Sequence, residues 1–376
     1  MRILLTGGGT GGHVAPAVAV IMCLRERSAA EGWPLDLCYL GSAAGIERQR
    51  MAELQVPYGV VATGKLRRYF SWQTPLDLLR LPFGVVQALV RVARFRPAVI
   101  FSTGGFVCVP PVIAGWLLRV PVLTHEQTVR SGLANRIAAR FARRVAISFP
   151  ESARDFPPAK TILTGNPVRP DVLHGDPARA AAHWSLDPTI PTIYVTGGVQ
   201  GAHAVNEAVF AALPALLAGA QVVHQTGAGP DGSGADLAAA RRLTGAIPAA
   251  AARYRPVAFV GTELADLYAL AALVVGRAGA GTLSELAAVG RPAVLIPLPG
   301  TSADEQTANA RRMEAAGAAV VILQDKLTAE RLADTVLRLT RMPAALREMG
   351  AKAQTLARPT AAADLVDVLL ALATRR

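Results

Sequence analysis

The sequence predicts an α/β protein built from two Rossmann-like domains, whose parallel sheets face a central cleft. Four short apolar runs, typical of buried strands, each lead directly into a glycine-rich turn and then into a helical pattern. Two of these units lie early in the chain and two lie late. At 376 residues the chain is too long for one ordinary core, and 52% hydrophobic against 18% charged residues indicates packed globular structure.

The four units follow one order of strand, turn and helix. An alternative interpretation is that their glycines serve only close packing of helices on strands. Because ligands of such sheets bind where strands end, we favour two ligand-binding halves. None of the turns has the spacing of a P-loop, and the first departs from the dinucleotide-binding pattern. The strands with their turns are Arg2–Leu5 with Thr6–His13, Ala98–Phe101 with Ser102–Gly105, Thr192–Val195 with Thr196–Gly201, and Leu273–Val275 with Gly276–Gly281.

The domain boundary is predicted at Thr164–Pro170, where two prolines and a Gly-Asn pair are typical of a linker. The end of the chain, Ala351–Leu372, is apolar at helical spacing and is expected to brace the first domain. We therefore predict one domain over 1–164 together with a C-terminal helix at about 345–376, and a second over 165–344.

The net charge of +12 indicates an anionic partner: nucleic acid, anionic lipid or a phosphorylated substrate. Nucleic acid is not expected, because aromatic residues make up only 5% and no zinc-finger or RNA-binding motif occurs. Three cysteines without a CxxC motif favour a reducing compartment. Met1–Leu5 is too short for a signal peptide and no apolar run is long enough to span a bilayer, so we expect the protein to be cytoplasmic unless it sits on a membrane surface.

One segment, Lys65–Pro97, alternates basic and large apolar residues. It is either a helix pair that covers the sheet or an interfacial patch, in which apolar side chains enter the headgroup region and arginines meet anionic lipid. Its basic residues are Lys65, Arg67, Arg68, Arg80, Arg91, Arg94 and Arg96, and its large apolar residues are Tyr69, Phe70, Trp72, Leu76, Leu79, Leu81 and Phe83.

The fourth unit offers a nucleotide-binding pattern. A glycine turn opens a helix at Thr282 and Ser284, and the unpaired amides of a helix start suit a phosphate. Glu285, one turn further, is a candidate to hold ribose hydroxyls. A polar loop ending at Gln306 follows the next apolar run. Phosphate, ribose and sugar ligands are thus supplied in one short stretch.

Candidate catalytic groups lie in the first half. His13 ends the first glycine turn and is a candidate base or phosphate contact. Glu126 follows a strand, where polar groups are either catalytic or part of a structural network, and Asn135 lies on the helix beyond it. Arg169 is placed for a phosphate or a base edge. No metal site is expected, since DxD, HExxH and Cys/His ligand spacings are absent from the sequence.

An ordered set of motifs that spans about the whole chain closely resembles the MurG family of peptidoglycan N-acetylglucosaminyltransferases, which convert lipid I to lipid II. Single motifs are shared with other two-lobed glycosyltransferases, whereas the ordered set is specific. The motifs are GGGTGGHVAPAVAV, STGGFV, HEQ, TGNPVR, TGGVQGAHAVNEAV and RAGAGTLSELAAVGRPAVLIPLP followed by DEQTANA.

The resemblance implies a GT-B fold, with the acceptor on the N-terminal lobe and UDP-N-acetylglucosamine mainly on the C-terminal lobe. It implies inverting transfer to the C4 hydroxyl of undecaprenyl-diphosphate-linked N-acetylmuramoyl-pentapeptide, with no metal and no cofactor. It also implies a peripheral protein on the cytoplasmic face of the bacterial cell membrane, and it allows contact with other cell-wall synthesis proteins.

Carried over by position, the resemblance implies that His13 acts as the base or contacts the acceptor phosphate, with Glu126 as the other candidate base. Val260 would wall the uracil, Glu285 would hold the ribose and Gln306 would bind the transferred sugar. The remaining implied substrate contacts are Thr10, Gly11, Gly12, Thr128, Asn135, Arg169, Val199, Gln200, Gly201, Ala280, Gly281, Thr282, Leu283 and Ser284.

Three positions depart from the family pattern. Thr128 stands where the family has an asparagine that contacts the donor sugar, and Val199 replaces a serine that contacts phosphate. The backbone amide of Val199 can still donate to the phosphate. In the third departure, Gly281 replaces the usual leucine. These departures leave two alternatives open: transfer to another membrane lipid, or a catalytically weak paralogue that binds sugar nucleotides.

Overall fold

The computed structural model describes residues 1–9, 11–64, 73–229, 232–301 and 304–374, without the side chains of 73–80. The chain forms two compact units. Unit 1 comprises Met1–Arg169 and Arg358–Arg376, and unit 2 comprises Pro170–Ala357. In the described residues each unit contains one wholly parallel sheet flanked by helices, which confirms the predicted class of two Rossmann-like domains.

The unit 1 sheet has seven strands in the order β3-β2-β1-β4-β5-β6-β7. Its central strands are buried at nearly every position, because helices cover both faces of a parallel sheet. The strands are β1 (Arg2–Thr6), β2 (Asp36–Gly41), β3 (Tyr58–Val60), β4 (Val99–Ser102), β5 (Val122–Glu126), β6 (Arg144–Ile147) and β7 (Thr161–Leu163).

Five helices of unit 1 connect these strands. The first begins at Gly11, inside the predicted turn Thr6–His13, and contains Pro16 near its start. The described part of the basic-apolar segment forms one helix rather than a helix pair, and residues 65–72 of that segment lie outside the described residues. The helices are α1 (Gly11–Glu31), α2 (Ile46–Glu53), α3 (Gln73–Phe95), α4 (Val109–Leu117) and α5 (Leu133–Phe141).

The unit 2 sheet has six strands in the order β10-β9-β8-β11-β12-β13. Its strands are β8 (Thr192–Thr196), β9 (Gln221–Gln225), β10 (Tyr254–Val257), β11 (Leu273–Gly276), β12 (Ala293–Leu295) and β13 (Ala319–Val321). Its helices are α6 (Pro177–Trp184), α7 (His203–Gly219), α8 (Ala235–Ala246), α9 (Ala250–Arg253), α10 (Leu264–Leu270), α11 (Ala280–Ala288), α12 (Glu305–Ala315), α13 (Ala329–Thr340) and α14 (Pro343–Gln354).

The last helix, α15 (Ala361–Thr374), belongs to unit 1. Leu365 and Leu369 are fully buried in the same core as Ile3 and Leu5, and α15 packs against α1. Helix α14 instead packs against α11 and α13 in unit 2. The predicted C-terminal segment, about 345–376, thus contains one helix from each unit. The units divide after Arg169, which lies within the predicted linker Thr164–Pro170 and five residues beyond the predicted end of the first domain.

Both sheets have a switch point, where the chain changes the side on which it adds strands. In unit 1 this point lies between β1 and β4, and Thr6 pairs in register with Ser102. In unit 2 it lies between β8 and β11, and Thr196 pairs with Gly276. Because ligands of doubly wound sheets bind at the carboxyl ends of strands around such points, all four glycine turns lie where binding is expected.

Candidate active site

One candidate site lies where β1 and β4 end side by side in unit 1. β1 continues into Gly7, Gly8 and Gly9, all with a positive φ that residues with a side chain rarely adopt. β4 leads to Gly104 and Gly105, which also have a positive φ. A Cβ at position 105 would lie 2.3 Å from the Gly8 carbonyl oxygen. The two turns therefore approach each other through backbone, which only glycine permits.

Helix α1 begins immediately beyond the first turn, with Gly11 and Gly12 exposed at its amino end. The amides of a first helical turn have no intrahelical acceptor and lie at the positive end of the dipole, so this end suits an anionic group. Thr10 lies outside the described residues, and its approach to the donor stays a prediction.

His13 projects from the first turn of α1 against the turn after β4. Its Nδ1 lies 2.9 Å from the carbonyl oxygen of Thr103 and 3.0 Å from Oε1 of Gln127. Both partners are acceptors, so Nδ1 carries the proton of the neutral ring and Nε2 keeps its lone pair. Among the described residues no side chain or backbone group hydrogen-bonds to Nε2. The half-buried ring thus presents a proton acceptor.

The orientation of Gln127 is fixed in turn by His125. Gln127 Nε2 donates to the Thr103 carbonyl at 2.6 Å and lies 3.2 Å from Nδ1 of His125. Because His125 Nε2 lies 3.0 Å from the Gly165 carbonyl, it holds the ring proton, and Nδ1 accepts. Burial lowers the pKa of His125 to about 4, so the ring is neutral near pH 7. Neutral His125 orients Gln127, which orients His13.

The buried His125 gives a prediction for stability. Between its ordinary pKa of 6.5 and its folded value of about 4, the unfolded chain binds a proton that the folded chain does not. Stability therefore falls as pH falls through this window, and His224, whose pKa burial lowers to about 3, adds to the trend. We expect the calorimetric Tm to fall from pH 6.5 to 4.5, and more gently in a His125→Gln variant. An equal slope in both proteins would contradict the assignment.

Glu126 takes part in a closed network at the end of β5. It is only 2% exposed. Its Oε1 accepts from the backbone N–H of Thr128 at 3.0 Å and from the Thr128 hydroxyl at 2.8 Å, and its Oε2 accepts from Asn135 at 2.9 Å. Burial raises the pKa of Glu126, opposed by these hydrogen bonds. Since both oxygens are enclosed and partnered, the geometry favours His13 as the base.

Thr128 and Asn135 differ in the hydrogen-bonding atoms that they leave available to a ligand. The Thr128 hydroxyl faces Glu126 and the carbonyl of Arg130, at 2.7 Å. The Asn135 side-chain oxygen is buried and, within the described residues, has no hydrogen-bond partner. A Cβ on Gly104 would come within 2.4 Å of that oxygen. An unsatisfied buried acceptor beside a glycine turn is a candidate to receive a ligand N–H or O–H.

A second candidate site lies in unit 2, at the carboxyl end of its sheet, after β8. The Gly198 N–H donates to Oγ1 of Thr196 at 3.1 Å, and a Cβ on Gly201 would lie 2.0 Å from a backbone oxygen. Between these glycines, Val199 exposes 42% of its surface, and Gln200 is also exposed. The turn leads into the amino end of α7. Val199 therefore offers a ligand its backbone, with its apolar side chain toward solvent.

Gln225, at the end of β9, ties this turn to the neighbouring loop. Its Nε2 donates to the Gly198 carbonyl at 2.9 Å, and its Oε1 accepts from the Val260 N–H at 3.0 Å and from the Tyr194 hydroxyl at 3.1 Å. Val260 is only 2% exposed. Because its N–H is also engaged, Val260 would contact a nucleotide base through its backbone carbonyl group.

The turn after β11 leads into α11, which carries most of the predicted nucleotide contacts. Ala280 and Leu283 are buried at 9% and 4% exposure, so they face a ligand only through backbone. Gly281 and Thr282 are partly exposed in the first turn of the helix. The Ser284 hydroxyl donates back to the Ala280 carbonyl at 2.9 Å. The amino end of α11, more than its side chains, is the anion-binding element here.

Two side chains at this end are held by protein contacts. Glu285 is partly exposed, and its Oε2 accepts from the Tyr268 hydroxyl at 3.0 Å. The Oε1 of Gln306 accepts from the Leu298 N–H at 3.0 Å, which turns its amide nitrogen away as a donor. Arg169 is the last residue of unit 1 before the division, and its contact with a nucleotide stays a prediction.

The described residues contain no group of three or more His, Cys, Asp or Glu side chains that could hold a metal ion. The two candidate sites offer backbone N–H groups at helix amino ends, an imidazole nitrogen with a lone pair and a partly exposed carboxylate. These groups suit binding of a phosphorylated substrate and transfer of a proton.

Comparison with known proteins is consistent with this chemistry. Residues 3–147 match the N-terminal domain model of glycosyltransferase family 28, and residues 192–365 match its C-terminal domain model. A relative from Bacillus anthracis is 40% identical over 340 residues, 90% of this chain and 91% of its own length. It is named UDP-N-acetylglucosamine--N-acetylmuramyl-(pentapeptide) pyrophosphoryl-undecaprenol N-acetylglucosamine transferase 2. An enzyme of the same name, without the number, from Legionella pneumophila is 36% identical over 89% of this chain and 87% of its own.

The crystal structure of Acinetobacter baumannii MurG superposes with a TM-score of 0.74 at 27% identity, covering 98% of this chain and 99% of that one. This chain belongs to the MurG family of glycosyltransferases. The candidate site of unit 1 lies within the residues matched by the N-terminal domain model, and that of unit 2 within those matched by the C-terminal domain model.

Sequence reasoning missed several residues that shape the site. Gln127 occurs there only as part of the HEQ motif, and Tyr268 and Gln225 do not occur at all. In the structure Gln127 orients His13, Tyr268 orients Glu285 and Gln225 holds the third glycine turn. Each acts on a residue 17 or more positions away, so no local pattern signals its role.

Proposed function

We propose that this protein transfers N-acetylglucosamine from UDP-N-acetylglucosamine to undecaprenyl-diphosphate-linked N-acetylmuramoyl-pentapeptide, converting lipid I to lipid II. The observation that carries the proposal is 40% identity over 90% of the chain to a relative named for this reaction. It is an inverting glycosyltransferase of the GT-B class, which needs one base and one stabilised leaving group.

The base is His13. The C4 hydroxyl of the muramoyl sugar attacks the anomeric carbon of the donor, the bond from that carbon to UDP breaks, and the hydroxyl proton passes to Nε2. The assignment is supported by the two acceptors at Nδ1, which place the proton of the neutral ring on Nδ1 and leave the lone pair on Nε2. Glu126, at 2% exposure, serves to hold Thr128 and Asn135 in place.

The leaving diphosphate is stabilised by the amino ends of α7 and α11 in unit 2. Fixed N–H dipoles directed at a growing negative charge lower the barrier without a metal ion. Gly201 and Gly281 keep these two helix starts free of bulk. Glu285 holds the ribose hydroxyls, and the amide nitrogen of Gln306 donates to the transferred sugar. Unit 1 accordingly receives the acceptor and unit 2 the donor.

The test is transfer by the purified protein of labelled N-acetylglucosamine from its UDP form to a lipid I analogue, with and without EDTA. We expect a lipid II product in which the new glycosidic bond is inverted, at a rate unaffected by EDTA. Absence of transfer, while other sugar nucleotides are used, would refute the proposal. Loss of activity in EDTA would refute only its metal-independent form.

A second candidate, transfer from a different UDP-sugar or to another membrane lipid, has one observation in its favour. The Thr128 hydroxyl faces Glu126 and Arg130, so it does not replace the family asparagine toward a donor sugar. A screen of UDP-sugars in the same assay separates the two, because preference for UDP-N-acetylglucosamine supports the first proposal and preference for another donor supports the second.

The protein acts on the membrane as a peripheral protein at the cytoplasmic face, where a lipid-linked acceptor lies. Helix α3 exposes Phe83 at 60%, Val86 at 56% and Val90 at 60%, and the neighbouring α4 exposes Trp116 at 54%. Exposed large apolar side chains on adjacent helices, with exposed arginines such as Arg91, fit insertion between anionic headgroups. No described helix is both long and apolar enough to cross a bilayer.

Replacement of Phe83, Val86 and Val90 by serine in one variant should weaken binding to phosphatidylglycerol vesicles by at least tenfold, because each apolar side chain contributes about 1 kcal/mol or more on leaving water. Sedimentation with vesicles measures the effect. Phe259→Ser, which removes an aromatic side chain 45% exposed in unit 2, is the matched control and should bind like wild type. Equal binding by the triple variant would rule out this surface.

A further inference from the structure

Glu47 lies on α2, outside every glycine turn, yet its carboxylate reaches the first of them. The side chain is fully buried. Its Oε1 accepts from the backbone N–H of Ser42 at 3.1 Å and from the Ser42 hydroxyl at 2.6 Å. Its Oε2 accepts from the N–H of Gly9 at 3.5 Å. One carboxylate thus bridges the turn after β2 to the glycine turn after β1.

This carboxylate is costly for the fold. Among the described residues no lysine, arginine or histidine forms an ion pair with Glu47, and burial of a carboxylate without a cation is unfavourable. The first turn of α2, where Glu47 lies, offsets part of that cost through the helix dipole. An apolar side chain would fill the same space more cheaply, so packing alone does not account for the group.

The space for the carboxylate exists only because two neighbours are glycines. A Cβ on Gly8 would lie 2.5 Å from Cδ of Glu47, and a Cβ on Gly45 would lie 2.0 Å from its Oε1. Gly8 also has a φ of 139°, and Gly9 a φ of 86°. The glycine turn and the carboxylate are therefore shaped to each other.

Two tyrosines contact the two bridged turns, one tyrosine for each turn. The Tyr39 hydroxyl donates to the Gly7 carbonyl at 3.0 Å, and the Tyr58 hydroxyl donates to the Ser42 carbonyl at 2.6 Å. The two rings are stacked, with centroids 5.9 Å apart. Glu47 and Tyr39 thus fix one N–H and one carbonyl of the turn that ends where α1 begins. The direction of α1 sets where His13 points.

We propose that Glu47 is a positioning residue, whose carboxylate holds the Gly7–Gly9 turn so that His13 and the amino end of α1 meet the acceptor. The catalytic consequence rests on the proposed function, whereas the effect on the turn does not. Displacement of a reacting group by about 1 Å costs up to about 100-fold in rate, so a loosened turn lowers kcat.

Glu47→Gln is the main test. The amide keeps the size of the side chain but presents a donor on one side, so it cannot accept from both Ser42 and Gly9. We expect kcat for lipid I to fall about 10–100-fold, with KM for UDP-N-acetylglucosamine unchanged within about threefold, because the donor elements lie in unit 2. The shape of the pH–rate profile should stay that of wild type. Hydrogen exchange in a peptide covering 7–13 should become faster.

Glu53→Gln on the same helix is the matched control, because Glu53 is exposed and pairs only with nearby side chains. It should leave kcat and exchange at 7–13 unchanged. Glu47→Asp, which keeps the charge but is one methylene too short to span both turns, should resemble Glu47→Gln and serves if that variant folds poorly.

Three results would overturn the proposal: kcat for Glu47→Gln within twofold of wild type, a loss of kcat with exchange at 7–13 unchanged, or disappearance of the acid limb of the pH–rate profile, which would make Glu47 the base itself. If wild type fails to transfer the sugar, the proposed function fails, and the exchange measurement still decides whether Glu47 holds the turn.

Discussion

The His13→Ala variant is expected to lose about 10³-fold in kcat for transfer to lipid I, with KM for UDP-N-acetylglucosamine changed much less. General-base catalysis contributes about 10²–10⁴-fold, and within the described residues His13 supplies an imidazole nitrogen left unprotonated by its hydrogen bonds. Steady-state kinetics on purified variant measures the loss. Exogenous imidazole should restore part of the rate, because the variant leaves a space of that shape.

His174→Ala, an exposed histidine in unit 2, is the control and should keep full activity. Gln127→Leu extends the test: it removes the amide that fixes the His13 tautomer, so we expect an intermediate loss and a changed pH–rate profile. A kcat of His13→Ala within tenfold of the wild-type value would exclude His13 as the base and favour Glu126, the other candidate.

The Glu285→Ala variant is expected to raise KM for UDP-N-acetylglucosamine about 10–100-fold. Hydrogen bonds to a charged group contribute about 1.5–3 kcal/mol, and a carboxylate can accept from ribose while it accepts from Tyr268. Because ribose contacts are made in both ground and transition states, kcat should change little. Tyr268→Phe, which removes only the orienting hydroxyl, should give a smaller rise.

The same prediction can be tested through the substrate, with a donor whose ribose lacks the 2′-hydroxyl. If Glu285 holds the ribose, wild type discriminates against the deoxy analogue and Glu285→Ala does not, so the two changes are not additive. Glu330→Ala, an exposed glutamate on α13, is the control. Additive effects of the mutation and the analogue would show that Glu285 contacts another part of the donor.

Much of the fold could be predicted because its determinants are local. A strand such as Val99–Ser102 is apolar along its length because a parallel sheet is buried on both faces. Turns after such strands need a positive φ, which made Gly104 and Gly198 visible as turn residues. The membership of the MurG family followed from the order of several such turns, and the comparisons confirm it.

The basic-apolar segment 65–97 shows where a local sequence pattern does not decide the structure. Alternating arginines and apolar residues are compatible with a helix pair or with a membrane surface, and only the packing of α3 on α4 shows which side chains remain exposed. The helices at the end of the chain are a second example of this limit. Helical spacing predicted its helices, but whether α14 and α15 join one unit or two depends on which core accepts them.

The sequence by itself determined the two Rossmann-like domains, the four glycine turns and the position of His13 and Glu285 beside them. Tertiary structure alone decided which of the candidate bases is enclosed by its neighbours. Glu126 and His13 looked equivalent as candidate bases, yet one is closed in by Thr128 and Asn135 while the other keeps a lone pair. Such differences rest on hydrogen bonds between distant segments, and no local pattern encodes them.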